Sequence, residues 1–148
     1  MPAYTKKKIG NIVIASDHAG YKLKESIKKF LTKKRKIVID LGPNNENSVD
    51  YPDFAHLLSK KVHGDKKFGI LVCGSGIGMN MAANRHKNIR AALCYDIKSA
   101  ILSRQHNNAN VISIGARLTK EKVALRCINA FIKTKFKGGR HLRRVKKI

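Results

Sequence analysis

The chain has 148 residues, 43% of them hydrophobic, and carries 32 Lys and Arg against 9 Asp and Glu, a formal net charge of +23. That length supports one domain around one proper core, and no apolar run approaches the eighteen or so residues that cross a bilayer. The charge raises the question of a nucleic-acid or membrane-surface partner, yet aromatics are 6% with no Trp, and no RNP-like or helix-turn-helix signature accompanies it.

In chain order, Met1 to Lys8 is a basic extension without the apolar centre or small-residue cleavage site of a signal peptide, so none is expected. Ile9 to Ser16 holds the β-branched run Ile12-Val13-Ile14-Ala15, which predicts a buried parallel strand. Ala19 to Leu31 repeats apolar residues at helical spacing (Leu23, Ile27, Phe30, Leu31), and Ile37-Val38-Ile39 predicts a second strand ending at Asp40-Leu41-Gly42. After a polar turn from Pro43 to Asp50, Tyr51-Pro52-Asp53 opens a second helix to about Val62, with Pro52 suited to its first turn. Phe68 to Cys73 is the third strand and Gly76 to Arg85 the third helix. Ile89 to Cys94 and Val111 to Ile114 are the fourth and fifth strands, separated by a helix from Asp96, its N-cap, to His106. A fifth helix starts at Thr119 with Val123, Ala124, Cys127, Ile128 and Phe131 inward, and Thr134 to Ile148 is a basic tail containing Gly138-Gly139.

Strands and helices alternate throughout, with no linker-like or low-complexity block. The expected fold is one α/β domain over residues 1–148, a three-layer α/β/α doubly wound sandwich with a five-stranded parallel sheet of flavodoxin/Rossmann-like type. Ligands of such sheets bind at the carboxyl ends of the strands, where strand order reverses. If the first and third strands are neighbours there, Ser16-Asp17-His18 and Cys73-Gly74-Ser75 face one crevice.

The segment Gly69 to Met79 carries the most chemistry. An apolar strand ends in Cys73, glycines follow at 74, 76 and 78, and a helix begins. Bare amide N–H groups at a helix start favour negative charge on a ligand and stabilise a thiolate. The loop is neither a dinucleotide fingerprint nor a P-loop, since GxGxxG is absent from the first strand and no Gly-Lys-Ser/Thr follows. Cys94 and Cys127 are expected to be inert core thiols. An odd set of three cysteines without a CxxC pair fits a reducing compartment. Scattered histidines without zinc-ligand spacing imply no metal site, and His56, His63 and His86 read as surface residues.

Ser103-Arg104-Gln105-His106-Asn107-Asn108 is rich in donors, and the His-Asn pair ahead of the fifth strand is expected on the same side of the sheet as Cys73. Gly138-Gly139 before Arg140 and Arg144 permits a sharp turn that brings both guanidinium groups to one phosphate. Most lysines (Lys22, Lys24, Lys28, Lys29, Lys60, Lys98, Lys120, Lys122) are expected on water-facing helix surfaces. The clusters Lys6–Lys8 and Lys133–Lys147 stand apart.

Ser16-Asp17-His18-Ala19-Gly20, Val49-Asp50-Tyr51-Pro52-Asp53, Cys73-Gly74-Ser75-Gly76-Ile77-Gly78, Ala82-Ala83-Asn84-Arg85, Ser103-Arg104-Gln105-His106-Asn107 and Gly138-Gly139-Arg140-His141 stand in the order found in one family. From about Ile9 to Val145 the chain closely resembles the type B ribose-5-phosphate isomerases, which are grouped with galactose-6-phosphate isomerase subunits. The resemblance implies a cofactor-free and metal-free aldose–ketose isomerase of the non-oxidative pentose phosphate pathway, and the cysteine usage adds the expectation of a cytoplasmic setting. It implies a homodimer or dimer of dimers with active sites at the subunit interface. Cys73 matches the base that shuttles a proton between C2 and C1, Ser75 the assisting hydroxyl, and the amides of Gly74, Ser75, Gly76, Ile77 and Gly78 the hole for a cis-enediolate. His106 matches the ring-opening residue with Asp17 near the ring oxygen. Asn107 and Tyr51 match sugar contacts, and His18, Arg117, Arg140 and Arg144 the phosphate clamp, part of it donated by the partner subunit.

Proton abstraction next to a carbonyl needs a matched base and preorganised oxyanion stabilisation, and a thiol over bare amides offers both. The expected reaction is ribose 5-phosphate to ribulose 5-phosphate, with allose or galactose 6-phosphate as alternative substrates. The rival reading is a basic nucleic-acid-binding module, and on balance neither a membrane nor a nucleic-acid partner is expected.

Overall fold

A computed structural model describes residues 12–62 and 67–148. Its centre is a five-stranded sheet of β1 (Ile12–Ser16), β2 (Val38–Asp40), β3 (Phe68–Cys73), β4 (Ala91–Leu93) and β5 (Val111–Gly115) in the order β2-β1-β3-β5-β4. Every pairing is parallel. The adjacency of β1 and β3 agrees with the expectation from the sequence. The exchange of the last two strands has a compositional cause: β5 (Val-Ile-Ser-Ile-Gly) is buried throughout, whereas β4 (Ala-Ala-Leu) is half-buried. The richer apolar run takes the interior position and the poorer one the edge. As a result Gly115, at the end of β5, lies directly beside Cys73, at the end of β3.

The strands' alternate faces feed two cores. Ile12 and Ile14 of β1, Ile70 and Val72 of β3, and Ile112 and Ile114 of β5 pack under α1 (Tyr21–Lys33), α4 (Ile97–Asn107) and α5 (Glu121–Lys133). Val13, Ala15, Leu71, Cys73 and Val111 pack on the other face under α2 (Tyr51–Lys61) and α3 (Ile77–Ala83). This is the three-layer, doubly wound arrangement. A short α6 (Arg140–Val145), unforeseen in the basic tail, packs against α4.

Local chemistry sets the helix starts. The Asp17 carboxylate accepts the Gly20 N–H at 3.0 Å, holding residues 18–20 in a turn, so α1 begins at Tyr21 rather than Ala19. Asp96 caps α4 as expected, its carboxylate accepting the Ser99 N–H at 2.7 Å while Ser99 Oγ accepts the Asp96 N–H. The fifth helix starts at Glu121, not Thr119.

One lysine departs from the water-facing expectation. Lys24 is fully buried, and its ammonium donates to Asp40 at 2.8 Å and to Glu25 at 2.9 Å, with Lys28 adding a 2.7 Å contact to Asp40. Burial works against the Asp40 carboxylate, but Lys24, Lys28 and the Gly42 N–H outweigh it and hold its pKa below the ordinary value. The cluster ties α1 to the end of β2. Residues 1–11 and 63–66, which include the Lys6–Lys8 cluster and His63, lie outside the described residues.

Candidate active site

The chain leaves β1 toward α1 on one face of the sheet and leaves β3 toward α3 on the other, so a crevice opens between their carboxyl ends. Asp17, Tyr51, Cys73, Gly74, Ser75, Gly78, Arg117 and Leu118 line a cleft of about 320 Å³ there. The two segments singled out on separate strands therefore meet.

Cys73 is 4% exposed and belongs to the core cluster of Val13, Leu71 and Met79, and it also lines the cleft. Sγ accepts the Gly76 N–H at 3.1 Å. Gly76 stands at φ +80°, and a Cβ there would come within 2.9 Å of the Gly115 nitrogen, so both the backbone conformation and the space require glycine. Ser75 Oγ accepts the Ile77 N–H at 3.1 Å, which leaves its proton free to be donated. The N–H groups of Gly74 and Ser75 donate to no group among the described residues. The loop thus offers a thiol, a hydroxyl and unused amides within one turn.

The rest of the cleft wall is set by the neighbouring loops. Asp17 is 7% exposed, with one carboxylate oxygen committed to Gly20. His18 Nδ1 accepts the Val49 N–H at 3.2 Å, so in the neutral ring the proton sits on Nε2, a donor. Tyr51 opens α2 and its ring crosses Gly78 so closely that a Cβ there would lie 2.6 Å from it. The Arg117 N–H donates to the Gly74 carbonyl at 2.9 Å, and its guanidinium covers Gly74. Arg117 reaches the cleft because β5, not β4, lies beside β3.

His106 and Asn107 are elsewhere. They end α4, which runs antiparallel to the strands, so they sit at the amino ends of the sheet, just before Val111, the partner of Gly69. The expectation that they lie on the same side as Cys73 is corrected: a helix that returns the chain to the start of a parallel strand must finish at the opposite edge. There they line a second cavity of about 480 Å³ with Arg140, Arg144 and His141. Gly138 and Gly139 stand at φ +64° and +56°, and the turn they make places both arginines on one side of α6. The two expected guanidinium groups are therefore brought together, but beside His106 and not beside Cys73.

His141 was not singled out as a site residue from the sequence. It is 8% exposed and its ring stacks on His106 at 4.3 Å, 9° from parallel. Burial, then the charges of His106, Arg140, Arg144 and Lys137, depress its pKa below the ordinary histidine value. Its only sequence signal was its place in the Gly-Gly-Arg-His run. His56 and His86 also depart from the surface reading, because His56 Nδ1 and His86 Nε2 share a hydrogen bond at 2.6 Å that joins α2 to the turn after α3. Cys94 and Cys127 are buried as expected, and burial pushes the Cys94 thiol up to about 11 and raises Cys127. Among the described residues no group of three metal-ligating side chains occurs.

The chain is similar to known proteins over most of its length. The family described as Ribose/Galactose Isomerase matches residues 12–148. A probable ribose-5-phosphate isomerase B of Mycoplasma genitalium is 48% identical over 141 residues, 93% of each chain. Ribose-5-phosphate isomerase B of Escherichia coli is 38% identical over 138 residues, again 93% of each. Among solved structures, the M. genitalium ribose-5-phosphate isomerase B with bound ribulose-5-phosphate superposes with a TM-score of 0.88 at 46% identity, covering 93% of this chain and 92% of that one. The Clostridium thermocellum ribose-5-phosphate isomerase B gives 0.89 at 44%, over 92% and 93%.

Proposed function

Because the chain belongs to the ribose/galactose isomerase family, we propose that it interconverts ribose 5-phosphate and ribulose 5-phosphate through Cys73. The observation that carries this reading is Cys73 on the wall of the cleft, with the Gly74–Gly78 turn beside it and the Gly76 N–H on its sulfur. In the open-chain aldose the thiolate takes the proton from C2, and the electron pair forms a C1–C2 double bond while the carbonyl oxygen becomes an oxyanion. Amides of Gly74 and Ser75 stabilise that charge, and the Ser75 hydroxyl relays a proton between O2 and O1. The thiol then returns its proton to C1 as the C2 carbonyl forms. No redox partner is consumed.

The separation of the two clusters supports a composite site. One copy supplies Cys73, Ser75, Asp17, His18, Tyr51 and Arg117. A second copy supplies His106 to open the ring, Asn107 to hold the sugar, and Arg140 and Arg144 for the phosphate. Ile77, Met81, Tyr95 and Leu118 are large apolar residues from 40% to 67% exposed near the cleft end of the sheet, which suits a face covered by that second copy. Free thiols without a disulfide fit a reducing, cytoplasmic setting.

The pentose reading is favoured over hexose 6-phosphates because one chain carries the whole residue set, and because a structural relative holds ribulose-5-phosphate. Cys73→Ala should lower kcat for ribose 5-phosphate by about 10²–10⁴-fold with little change in binding of the sugar phosphate. Full turnover by that variant would end the proposal, and kcat/KM compared across ribose, allose and galactose phosphates ranks the substrates.

A further inference from the structure

The acidic residues are sorted along the strands, whereas cations stand at both edges. Among the described acids, Asp17, Asp40, Glu46, Asp50, Asp53, Asp96 and Glu121 lie at strand carboxyl ends or in the loops and helix starts that follow them, and Glu25 sits within α1, paired with Lys24 and Lys28. At the opposite edge, where helices end, stand Lys33, Lys34, Arg35, Lys36, Lys60, Lys61, Arg85, Lys87, Lys133, Lys135 and Lys137, with no acid among the described residues. Helix dipoles favour this polarity by a modest amount per helix and only within the last turn. They do not account for four consecutive exposed cations at the end of α1, Lys33 to Lys36.

That turn has a second peculiarity. The Lys36 N–H donates to the Leu31 carbonyl at 3.0 Å and the Arg35 N–H to Thr32 at 2.9 Å, the paired bonds of a Schellman helix end. The left-handed residue of such an end is usually glycine, yet here it is Arg35 at φ +59°. A cation stands where glycine would relieve strain, and backbone strain of this kind points toward function. None of Lys33, Lys34, Arg35 and Lys36 forms an ion pair among the described residues.

Lys34 also belongs to a groove of about 430 Å³ between α1 and α5, where Phe30, Ile97 and Leu125 form the floor and Lys122 and Arg126 flank Lys34. The Lys34 ammonium rests over the half-exposed Phe30 ring at 5.0 Å. No carboxylate lines the groove. The nearest acids in sequence are Asp96, engaged as the α4 cap, and Glu121.

From this continuous cationic strip with an accessible ring in it, we infer that the Lys33–Lys36 turn and the adjoining α1/α5 groove bind the phosphodiester backbone of a single-stranded nucleic acid, with a base seated on Phe30. Phosphates meet the unpaired cations, and the aromatic floor offers sequence-tolerant stacking. The missing base-reading signature is consistent with that mode, which reads backbone and not sequence. The surface lies outside the Cys73 cleft and the His106 cavity, so the inference is independent of the isomerase reading.

The test is fluorescence anisotropy of a labelled oligouridylate of about a dozen nucleotides, titrated with the full chain across a salt series. Combined Lys33→Gln, Lys34→Gln, Arg35→Gly and Lys36→Gln should weaken binding by roughly tenfold or more. It should also flatten the slope of log K against log salt by up to about three, four charges at ~0.7 each. Isomerase turnover, which uses none of these residues, should be unchanged. Phe30→Leu keeps the apolar bulk and removes the ring, and should lower affinity about fivefold without altering the slope. Arg35→Gly alone should raise Tm while weakening binding, an opposition that a purely structural turn does not produce. The inference is overturned if the wild type does not bind, if Lys60→Gln/Lys61→Gln/Lys87→Gln costs as much as the turn variant, or if polyglutamate or anionic vesicles compete equally well.

Discussion

A mixing experiment separates a composite active site from one contained in a single chain. Cys73 ends β3, whereas α4 delivers His106 to the level of Gly69, at the other end of the same strand. Four residues at about 3.3 Å each put the thiol roughly 13 Å up the sheet from that level, too far for His106 to touch a sugar held at Cys73 in the same copy. Cys73→Ala and His106→Ala should each be nearly inactive alone. In a heterodimer, one of the two composite sites joins the intact Cys73 of one copy to the intact His106 of the other, and the remaining site carries both defects. Random exchange makes half the dimers mixed, so an equimolar mixture should recover about one quarter of wild-type kcat per chain. The assay is ribulose 5-phosphate formation after the two variants are unfolded together and refolded, with each refolded alone as control. A mixture no more active than its components would refute the two-copy site, because a single-chain site always carries one defect.

The remaining expectations concern the phosphate, the cleft wall and acid stability. Arg140→Ala or Arg144→Ala should raise KM for ribose 5-phosphate tenfold or more, from ~1–3 kcal/mol per charge-assisted hydrogen bond, and an unchanged KM would remove that residue from the clamp. Gly78→Ala puts a Cβ 2.6 Å from the Tyr51 ring. It should cut kcat/KM by about tenfold through displacement of Tyr51, while Tm holds or rises because alanine favours α3 by up to ~1 kcal/mol; undiminished activity would show that the ring is not needed. Burial, then His56 and Lys60, depress the His86 pKa below 6.5. The unfolded chain therefore takes up that proton first, and stability declines as pH falls below about 6.5 until His86 itself protonates. His86→Gln should lose less Tm than wild type between neutral and mildly acidic pH, and an identical loss would dismiss the pair as the source.

Much of the cleft was legible because its chemistry is local. Three alternating glycines after an apolar run and a cysteine have few structural solutions, and the loop they predict is the loop that forms between Cys73 and Gly78. Asp17 was legible for the same reason, as a carboxylate just past a buried strand. Lys24 was misread although its position carried a signal: it shares the inward face with Ile27 and Leu31 at spacings of three and seven. Its partner Asp40 lies sixteen residues away on β2, and no local pattern announces that contact. The His56–His86 bond is hidden likewise, since it depends on α2 and α3 packing side by side.

The misplacement of His106 is of another kind, because the rule that corrects it needs no coordinates. In a parallel α/β sheet, residues just after a strand lie at its carboxyl edge and residues just before the next strand lie at its amino edge. Asp17 and Cys73 belong to the first class, His106 and Asn107 to the second. A residue set drawn from both classes cannot converge in one compact copy whose strands are this short. It must either serve two purposes or be completed by another molecule. Arg140 and Arg144 join His106 at the amino edge through α6, so the proposed ring-opening group and the two arginines proposed for the phosphate travel together. The same arrangement argues that loss of assembly and loss of turnover go hand in hand: a dilution series should show kcat per chain falling as the sedimentation coefficient shifts to that of the monomer. A fully active monomer would contradict the division of the site.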